Sequence, residues 1–429
     1  MELCRAAIVV KIHCRKLRLF VDNARPPLSY NVPDFFPITF LMSFVSSKIA
    51  ELSPSITLAV TSQAAKMKKE GIDVCSFGAG EPDMDTPQHI KDACLKALAE
   101  GKTKYTASSG LLELREAISD KLKADNGLNY SPDLISVNCG AKHSCYNAIL
   151  ASCGLGDEVI IPAPYWTSYP DMVRIAGATP VFVQTTMESG YKMTPEQFEE
   201  AMSPATKMVI LNSPSNPTGA VYSSAELEKI AEIATSEDIL ILSDEIYEKL
   251  VYDETEHVSI ASLGKEVQDL TIVVNGFSKA YSMTGWRIGY TAAPRKIADA
   301  IDTIQSHTTS APATFAQYGA IAACRGDQQV IEDMRQEFDL RRGYMLGRFS
   351  KINNVSIVEP KGAFYFLVNI GRMGINSMNF AEKLLSRMHV AVVPGIAFGE
   401  DETVRFSYAC SLDVIKKGLD RFEEFCRSH

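Results

Sequence analysis

The chain has 429 residues, 46% of them hydrophobic and 22% charged, with a net charge of −9 at neutral pH. Such a sequence can bury a large core in two structural units and is not disordered overall; the acidic balance, without a basic arm or patch, argues against nucleic acid as a partner. Ten scattered cysteines with no C-x-x-C pair fit reduced thiols in an intracellular protein better than disulfides or a metal site, and no apolar run is long enough to span a membrane.

Residues 1–42 stand apart. "MELCRAAIVVKIHCRKLRLF" carries five basic residues against one acid, and "NARPPLSYNVPDFFP" is broken by prolines. The segment reads as an unstructured extension, because Met42 opens more ordinary sequence, or as an organellar transit segment, which is typically basic and poor in acids. The expected location is cytoplasmic, with an organelle as the alternative.

From Gly101 onward, apolar strand-like runs alternate with helical stretches. The runs are "LISVNC", "EVIIPA", "TPVFVQ", "KMVILNS", "ILILSDE" and "LTIVVNG"; among the stretches between them are "HSCYNAILASC", "YPDMVRIAG" and "SSAELEKIAEIATSE". That alternation predicts an α/β fold with a mostly parallel sheet covered on both faces. After about residue 325 a long charged helix leads into "FYFLVNI", "VAVVPG" and "VRFSYA". The expected organisation is a large domain over 84–325 and a smaller α+β domain formed by 43–83 with 326–429.

Ligands of open parallel sheets sit beyond the carboxyl ends of the strands, so polar residues just after apolar runs are site candidates. Asp244 ends "ILILSD"; it could cap a helix or hold a cationic group of a ligand. "NSPSNPTG" places Asn216 after another run, although such residues also suit a plain turn. "VNCGAKHS" offers Ala141 and Lys142 at a helix start, where backbone N–H groups attract anions. It matches neither the dinucleotide-binding nor the Walker glycine pattern, so nucleotide binding is not supported. Trp166, one of two tryptophans, provides a flat face or a core aromatic. Lys279, in "GFSKAYSMTGWRIGY", is an amine near a strand end; partial desolvation lowers its pKa and makes it a nucleophile toward aldehydes. An acid, an amide, a phenol (Tyr247), an aromatic face and an anion cradle joined by Arg287 together suit pyridoxal 5′-phosphate.

These motifs carry a family resemblance. From about Ser53 to the C-terminus the chain resembles the fold-type I, class I aminotransferases, and is most similar to the bacterial-type aspartate aminotransferases. The shared motifs run in the same order, from "SFGAGEPDMDTP" and "KTKYTASSGLLELR" through "PAPYWTSYPDM", "NSPSNPTGAVY" and "SDEIYEKLVY" to "SKAYSMTGWRIGY", "PKGAFYFL" and "VRFSYA".

The resemblance implies Lys279 as the amine that bonds the cofactor aldehyde and then carries a proton between Cα and C4′. It implies Asp244 at the ring nitrogen, Tyr247 and Asn216 at the ring oxygen, and Trp166 stacked on the ring. Ala141, Lys142, Ser278 and Arg287 would hold the phosphate, with Tyr105 reaching it from the partner of a homodimer whose active sites are shared. Arg405 and the backbone at Gly80 would bind the substrate α-carboxylate, with Trp166 and Asn216 also touching the substrate.

Three positions depart from relatives. Gly276 stands where many carry a phosphate-binding serine, and Ala141 replaces a common glycine. The loop "QSHTTSAPATFAQ" lacks the arginine that animal-type and enterobacterial aspartate enzymes use for the second carboxylate; Lys142, Ser55 and Thr57 match the places that do this in the bacterial-type subgroup. The implied reaction moves an amino group from L-aspartate to 2-oxoglutarate. Aromatic amino acids, alanine or prephenate are alternative substrates. A C–S lyase, an aminocyclopropane-carboxylate synthase or a non-catalytic regulatory domain are other outcomes on the same fold.

Overall fold

The computed structural model describes residues 44–50, 52 and 55–428, with backbone alone for Ser47 and Lys48. The expected extension over 1–42 lies outside the described residues. Residues 47–429 form one compact unit.

Each predicted apolar run is a strand. In chain order the strands are β1 (Cys75–Ser76), β2 (Ile135–Asn138), β3 (Glu158–Ala163), β4 (Thr179–Gln184), β5 (Thr206–Asn212), β6 (Leu240–Asp244) and β7 (Thr271–Gly276). They continue as β8 (Gly289–Ala292), β9 (Ser356–Ile357), β10 (Tyr365–Asn369), β11 (Val390–Ala391), β12 (Val393–Pro394) and β13 (Thr403–Ser407). A seven-stranded sheet has the order β2-β8-β7-β6-β5-β3-β4. Its pairings are parallel except those of β8, which runs antiparallel between β2 and β7. Strand β8 falls within "RIGYTAA", which carries no apolar run of its own and was not anticipated.

Burial on both faces is why these strands read as continuous Val, Ile and Leu. Ile272, Val274, Leu242 and Ile210 pack with Ile149 on one face, while Val273 and Tyr290 pack with Ile118 and Leu114 on the other. Helices such as Ala141–Ser152, Tyr169–Ala176 and Ser224–Ser236 fill the crossovers. The last begins at a reciprocal cap, in which the Ser223 side chain accepts from Glu226 N–H and the Glu226 carboxylate accepts from Ser223 N–H.

The second sheet has the order β12-β13-β10-β9 and is antiparallel. It lies over an aromatic core of Phe338, Phe364, Phe366, Phe406 and Phe422, to which the 21-residue helix Gln329–Phe349 contributes. Strand β1 pairs with β11 in parallel, so sequence near residue 75 is tied to sequence near residue 390. This is the α/β architecture expected, a mostly parallel sheet beside a smaller α+β layer. No helix among the described residues is long and apolar enough to cross a membrane.

Candidate active site

The carboxyl ends of β2, β3, β5, β6 and β7 each lead into a candidate residue: Ala141, Trp166, Asn216, Asp244 and Lys279. Asp244 is the last residue of β6 and is 4% exposed. Its Oδ2 accepts from the Tyr169 hydroxyl at 2.6 Å and the Cys145 thiol at 3.7 Å, and its Oδ1 from the Ile246 N–H at 3.3 Å. Among the described residues no ion pair holds this carboxylate. Burial raises its pKa, against the pull of Tyr169. A buried anion served only by neutral donors is costly, and its cost falls when a cation arrives.

Lys279 follows β7 and donates from Nζ to the carbonyl of Gly80. Burial pushes its ammonium down to about 8, with Glu81 opposing and Arg405 assisting. The Nζ lies 5.7 Å from the Tyr247 ring centroid and 5.9 Å from that of Phe364. It is an amine kept ready to lose its proton near neutral pH.

Arg405, in β13, is 2% exposed. It donates from Nη1 to Asn216 Oδ1 at 2.8 Å and from Nη2 to the Gly78 carbonyl at 3.0 Å, while its Nε is buried without a partner. The guanidinium lies 4.4 Å from the Tyr365 ring centroid and 5.0 Å from that of Phe398. Burial lowers its pKa, and only neutral oxygens face it. A buried planar cation in that state is a receptor for a carboxylate.

The anion cradle forms where β2 turns into the helix Ala141–Ser152. Gly140 adopts φ 87°, and a Cβ there would lie 2.4 Å from Arg287 Nη2. The backbone conformation therefore favours glycine, and any larger residue would have to displace the Arg287 guanidinium. The helix carries no acidic residue in its first turn, so its N-terminal N–H groups present uncompensated positive potential. Arg287, itself at φ 56°, is fixed by Nη1 donating to the Thr284 carbonyl at 2.7 Å. Ser278 is buried next to Lys279. Lys142 Nζ lies 4.9 Å from the Trp166 ring centroid, its pKa lowered by burial and by Arg287. Trp166 is half-buried and meets Tyr169 edge to face at 5.2 Å.

Other candidates sit differently. The Tyr247 hydroxyl shares a hydrogen bond of 2.8 Å with the Tyr365 hydroxyl. Ser55 caps the helix Ile56–Lys69, its oxygen accepting from Leu58 N–H at 3.4 Å, and the Thr57 carbonyl accepts from Thr61 Oγ1 at 2.9 Å. That helix nonetheless runs past the site, because Val60 and Thr61 lie within van der Waals reach of a Cβ built on Gly78. Tyr105 is 95% exposed and lines a concavity of about 350 Å³ with Lys102, Lys104 and Thr314.

Gly276 has a structural cause. It pairs with Gly289 across β7 and β8, and a Cβ on it would lie 2.8 Å from the Gly289 Cα. A Cβ on Gly289 would in turn lie 2.3 Å from the Ala141 nitrogen. The two glycines let the cradle settle onto the sheet.

Sequence reading missed Tyr169, Cys145, Tyr365 and Gly78. Tyr169 stands three residues after Trp166 in a motif read for its tryptophan alone. Tyr365 lies in the resembling motif "PKGAFYFL". Cys145 offered no signal, since a helical cysteine between apolar residues reads as core.

Comparison with known proteins identifies the family. Residues 72–422 match the family described as aminotransferase class I and II. The chain is 47% identical to an aspartate aminotransferase of Bacillus sp. (strain YM-2) over 392 residues, 90% of this chain and 100% of that protein. It is 45% identical to an aspartate/prephenate aminotransferase of Cereibacter sphaeroides over 396 residues, 90% and 99% of the two chains. The solved aspartate aminotransferase of Thermus thermophilus with maleate superposes with a TM-score of 0.86 at 40% identity, covering 89% of this chain and 100% of that one. With the fold and residues 72–422 in agreement, the chain belongs to the class I and II aminotransferases.

Proposed function

We propose that the protein is a pyridoxal phosphate-dependent aspartate aminotransferase that moves an amino group from L-aspartate to 2-oxoglutarate in a ping-pong sequence, giving oxaloacetate and L-glutamate. The observation that carries the reading is Arg405, a buried guanidinium facing only the oxygens of Asn216 and Gly78. An amino acid's α-carboxylate supplies the missing anion. Pyridoxal phosphate suits the remaining groups: a cradle that a Cβ at Gly140 would fill, an anion at Asp244 lacking a cation, and a desolvated amine at Lys279.

When bound, the cofactor supplies an aldehyde and an electron-withdrawing ring. Lys279 would hold the aldehyde carbon, then use its freed Nζ to take and return the substrate's Cα proton. Asp244 would face the ring nitrogen and keep it protonated. Tyr247 and Asn216 would hydrogen-bond the ring oxygen, and Trp166 would cover one face. The backbone of Ala141 and Lys142, with Ser278 and Arg287, would neutralise the phosphate, and Tyr105 would reach it from a second copy of the chain in a homodimer. Arg405 and the backbone at Gly80 would orient the substrate so that its Cα proton points at Lys279. Lys142, Ser55 and Thr57 would meet the second carboxylate of a dicarboxylic substrate. Residues 84–325 would act as a cofactor-binding domain and 43–83 with 326–429 as a smaller domain contributing Arg405.

Prephenate is a second amino acceptor to consider, because a relative of nearly equal identity is named for both substrates. Mixing the cofactor-loaded protein with single amino acids, and following the loss of its visible absorbance, tests the reading. Aspartate and glutamate are expected to react fastest. A protein that reacts with neither, or that releases pyruvate and ammonia without an acceptor, is not this enzyme.

A further inference from the structure

Asp244 has an unusual second neighbour. Tyr169, from the helix Tyr169–Ala176, and Cys145, from the helix Ala141–Ser152, both direct their hydrogens at the same oxygen, Oδ2, at 2.6 Å and 3.7 Å. Cys145 is fully buried in an apolar wall that includes Ala148, Ile149, Ile210 and Leu242. A leucine or valine would suit that wall, so the thiol's polar edge is spent on the carboxylate alone. Burial and the adjacent Asp244 both push the Cys145 thiol's pKa well up, and the Tyr169 phenol responds the same way. Both therefore stay neutral donors while Asp244 is an anion.

We infer that Cys145 is a positioning residue of the reaction: with Tyr169 it clamps Oδ2 of Asp244 and sets how firmly the negative charge stays on that carboxylate. The inference rests on the proposed cofactor, whose ring nitrogen is the group Asp244 would face. The physical chain is short. A donor to Oδ2 stabilises the anion, so the shared proton stays on the ring nitrogen. Remove a donor, and the proton shifts toward Asp244 and the ring loses positive charge. The nitrogen linked to Lys279 then becomes more basic. A thiol is a weak donor, so Cys145 tunes where Tyr169 dominates. The other groups bearing on Asp244 are Glu245 beside it, which raises its pKa, and the Ile246 N–H. Lys279 and Tyr247 also feel its charge across the site.

The test is a pH titration of the visible absorbance of protein loaded with pyridoxal phosphate, in wild type, C145A, C145S and Y169F. C145A is expected to raise the apparent pKa of the lysine-linked nitrogen by about half a pH unit, and Y169F by more, as befits the stronger O–H donor. C145S, with a stronger donor of nearly the same shape, is expected at or below wild type. Equal titrations of C145A, C145S and wild type, with only stability altered, would overturn the inference and leave the proposed function standing. A wild-type protein that acquires no visible absorbance overturns both. A readout without cofactor is the S–H stretch assigned by its loss in C145A. It is expected to rise in frequency in D244N, where the anionic acceptor is gone, and a band unmoved by D244N counts against the clamp.

Discussion

Asn216 Oδ1 accepts a hydrogen bond from Arg405 Nη1 at 2.8 Å, joining a turn after β5 to the centre of β13. The amide thus aims a buried cation whose Nε has no partner. Two segments 189 residues apart in sequence are registered against each other by this contact, and the other terminal nitrogen of the guanidinium fork is held by the Gly78 carbonyl. Replacing Arg405 by lysine keeps the charge and loses the fork. The expected loss in kcat/KM is about 2–5 kcal/mol of transition-state binding. Steady-state kinetics with aspartate measures it, and a near-normal kcat/KM in R405K would contradict the role.

Lys279 is expected to be irreplaceable. In K279A the visible absorbance of the loaded protein should vanish and turnover fall by at least the ~10²–10⁴-fold that a positioned acid–base contributes. Absorbance spectra and single-turnover kinetics check this, with an exogenous primary amine as a partial rescue. Substantial unrescued activity in K279A would show that another group moves the proton.

Gly276→Ser is expected to harm rather than restore a phosphate contact. Its Cβ would meet the Gly289 Cα at 2.8 Å, a backbone atom that cannot swing aside, so β7 and β8 must separate. Overpacking of this kind costs about 1–3 kcal/mol. The denaturation midpoint should fall and the cofactor dissociation constant rise. A tighter-binding, equally stable G276S would refute the steric reading.

Asp244 and Tyr247 belong to the proposed site, while Glu245 and Glu248 anchor the same turn in a buried charge network. Glu245 accepts from Ser243 at 2.9 Å and Ser259 at 2.6 Å, and its other oxygen meets His257 Nε2 at 3.3 Å. Glu248 is paired with Lys121 and accepts from Asn126 at 2.8 Å. Burial opposes the ionisation of Glu248, yet Lys121 and His257 hold its pKa at about 2. Its folded value lies below the unfolded one, so its stabilisation is complete above about pH 4.5 and drains away as pH falls toward 2. In K121M a buried carboxylate loses its cation, at an expected cost of about 3–5 kcal/mol. Urea denaturation at neutral pH, and of wild type below pH 4.5, reads both effects.

His257 titrates with the opposite sign. Burial lowers its pKa, but Glu245 and Glu248 outweigh this and raise it above the usual 6.5. Its contribution is therefore full below that value and is lost as pH rises through the folded pKa. Stability of the wild type is expected to decline as pH rises above about 6.5 and through the raised folded pKa of His257, and H257Q should flatten that decline. An unchanged slope in H257Q would assign the decline to other groups.

How far these features could be read in advance depends on whether each is local or made by convergence. Five of the six parallel strands were legible because burial on both faces forces continuous apolar runs; β4, at the sheet edge, is only partly buried. Strand β8 was not, because "GYTA" is short and its pairing depends on the close approach of Gly276 and Gly289. Lys279, Asp244, Asn216 and Arg405 could be picked out because each stands at or near a strand inside a recognisable motif. The side-chain donors to Asp244 come from two helices and the oxygen facing Lys279 from Gly80, contacts that exist only once distant segments meet. Ser55 could be placed near the site by resemblance, while its hydroxyl serves as a helix cap, a use that residue type favours wherever a helix begins.

The most direct measurement is a single half-reaction. Protein loaded with pyridoxal phosphate is mixed with L-aspartate in the absence of any oxo acid, and oxaloacetate is assayed alongside the visible spectrum. The expected result is about one equivalent of oxaloacetate per site, as a ping-pong transfer requires, with loss of the lysine-linked absorbance and its return on adding 2-oxoglutarate. An unchanged spectrum with no oxaloacetate, or continuous release of ammonia without an acceptor, would contradict aspartate transamination.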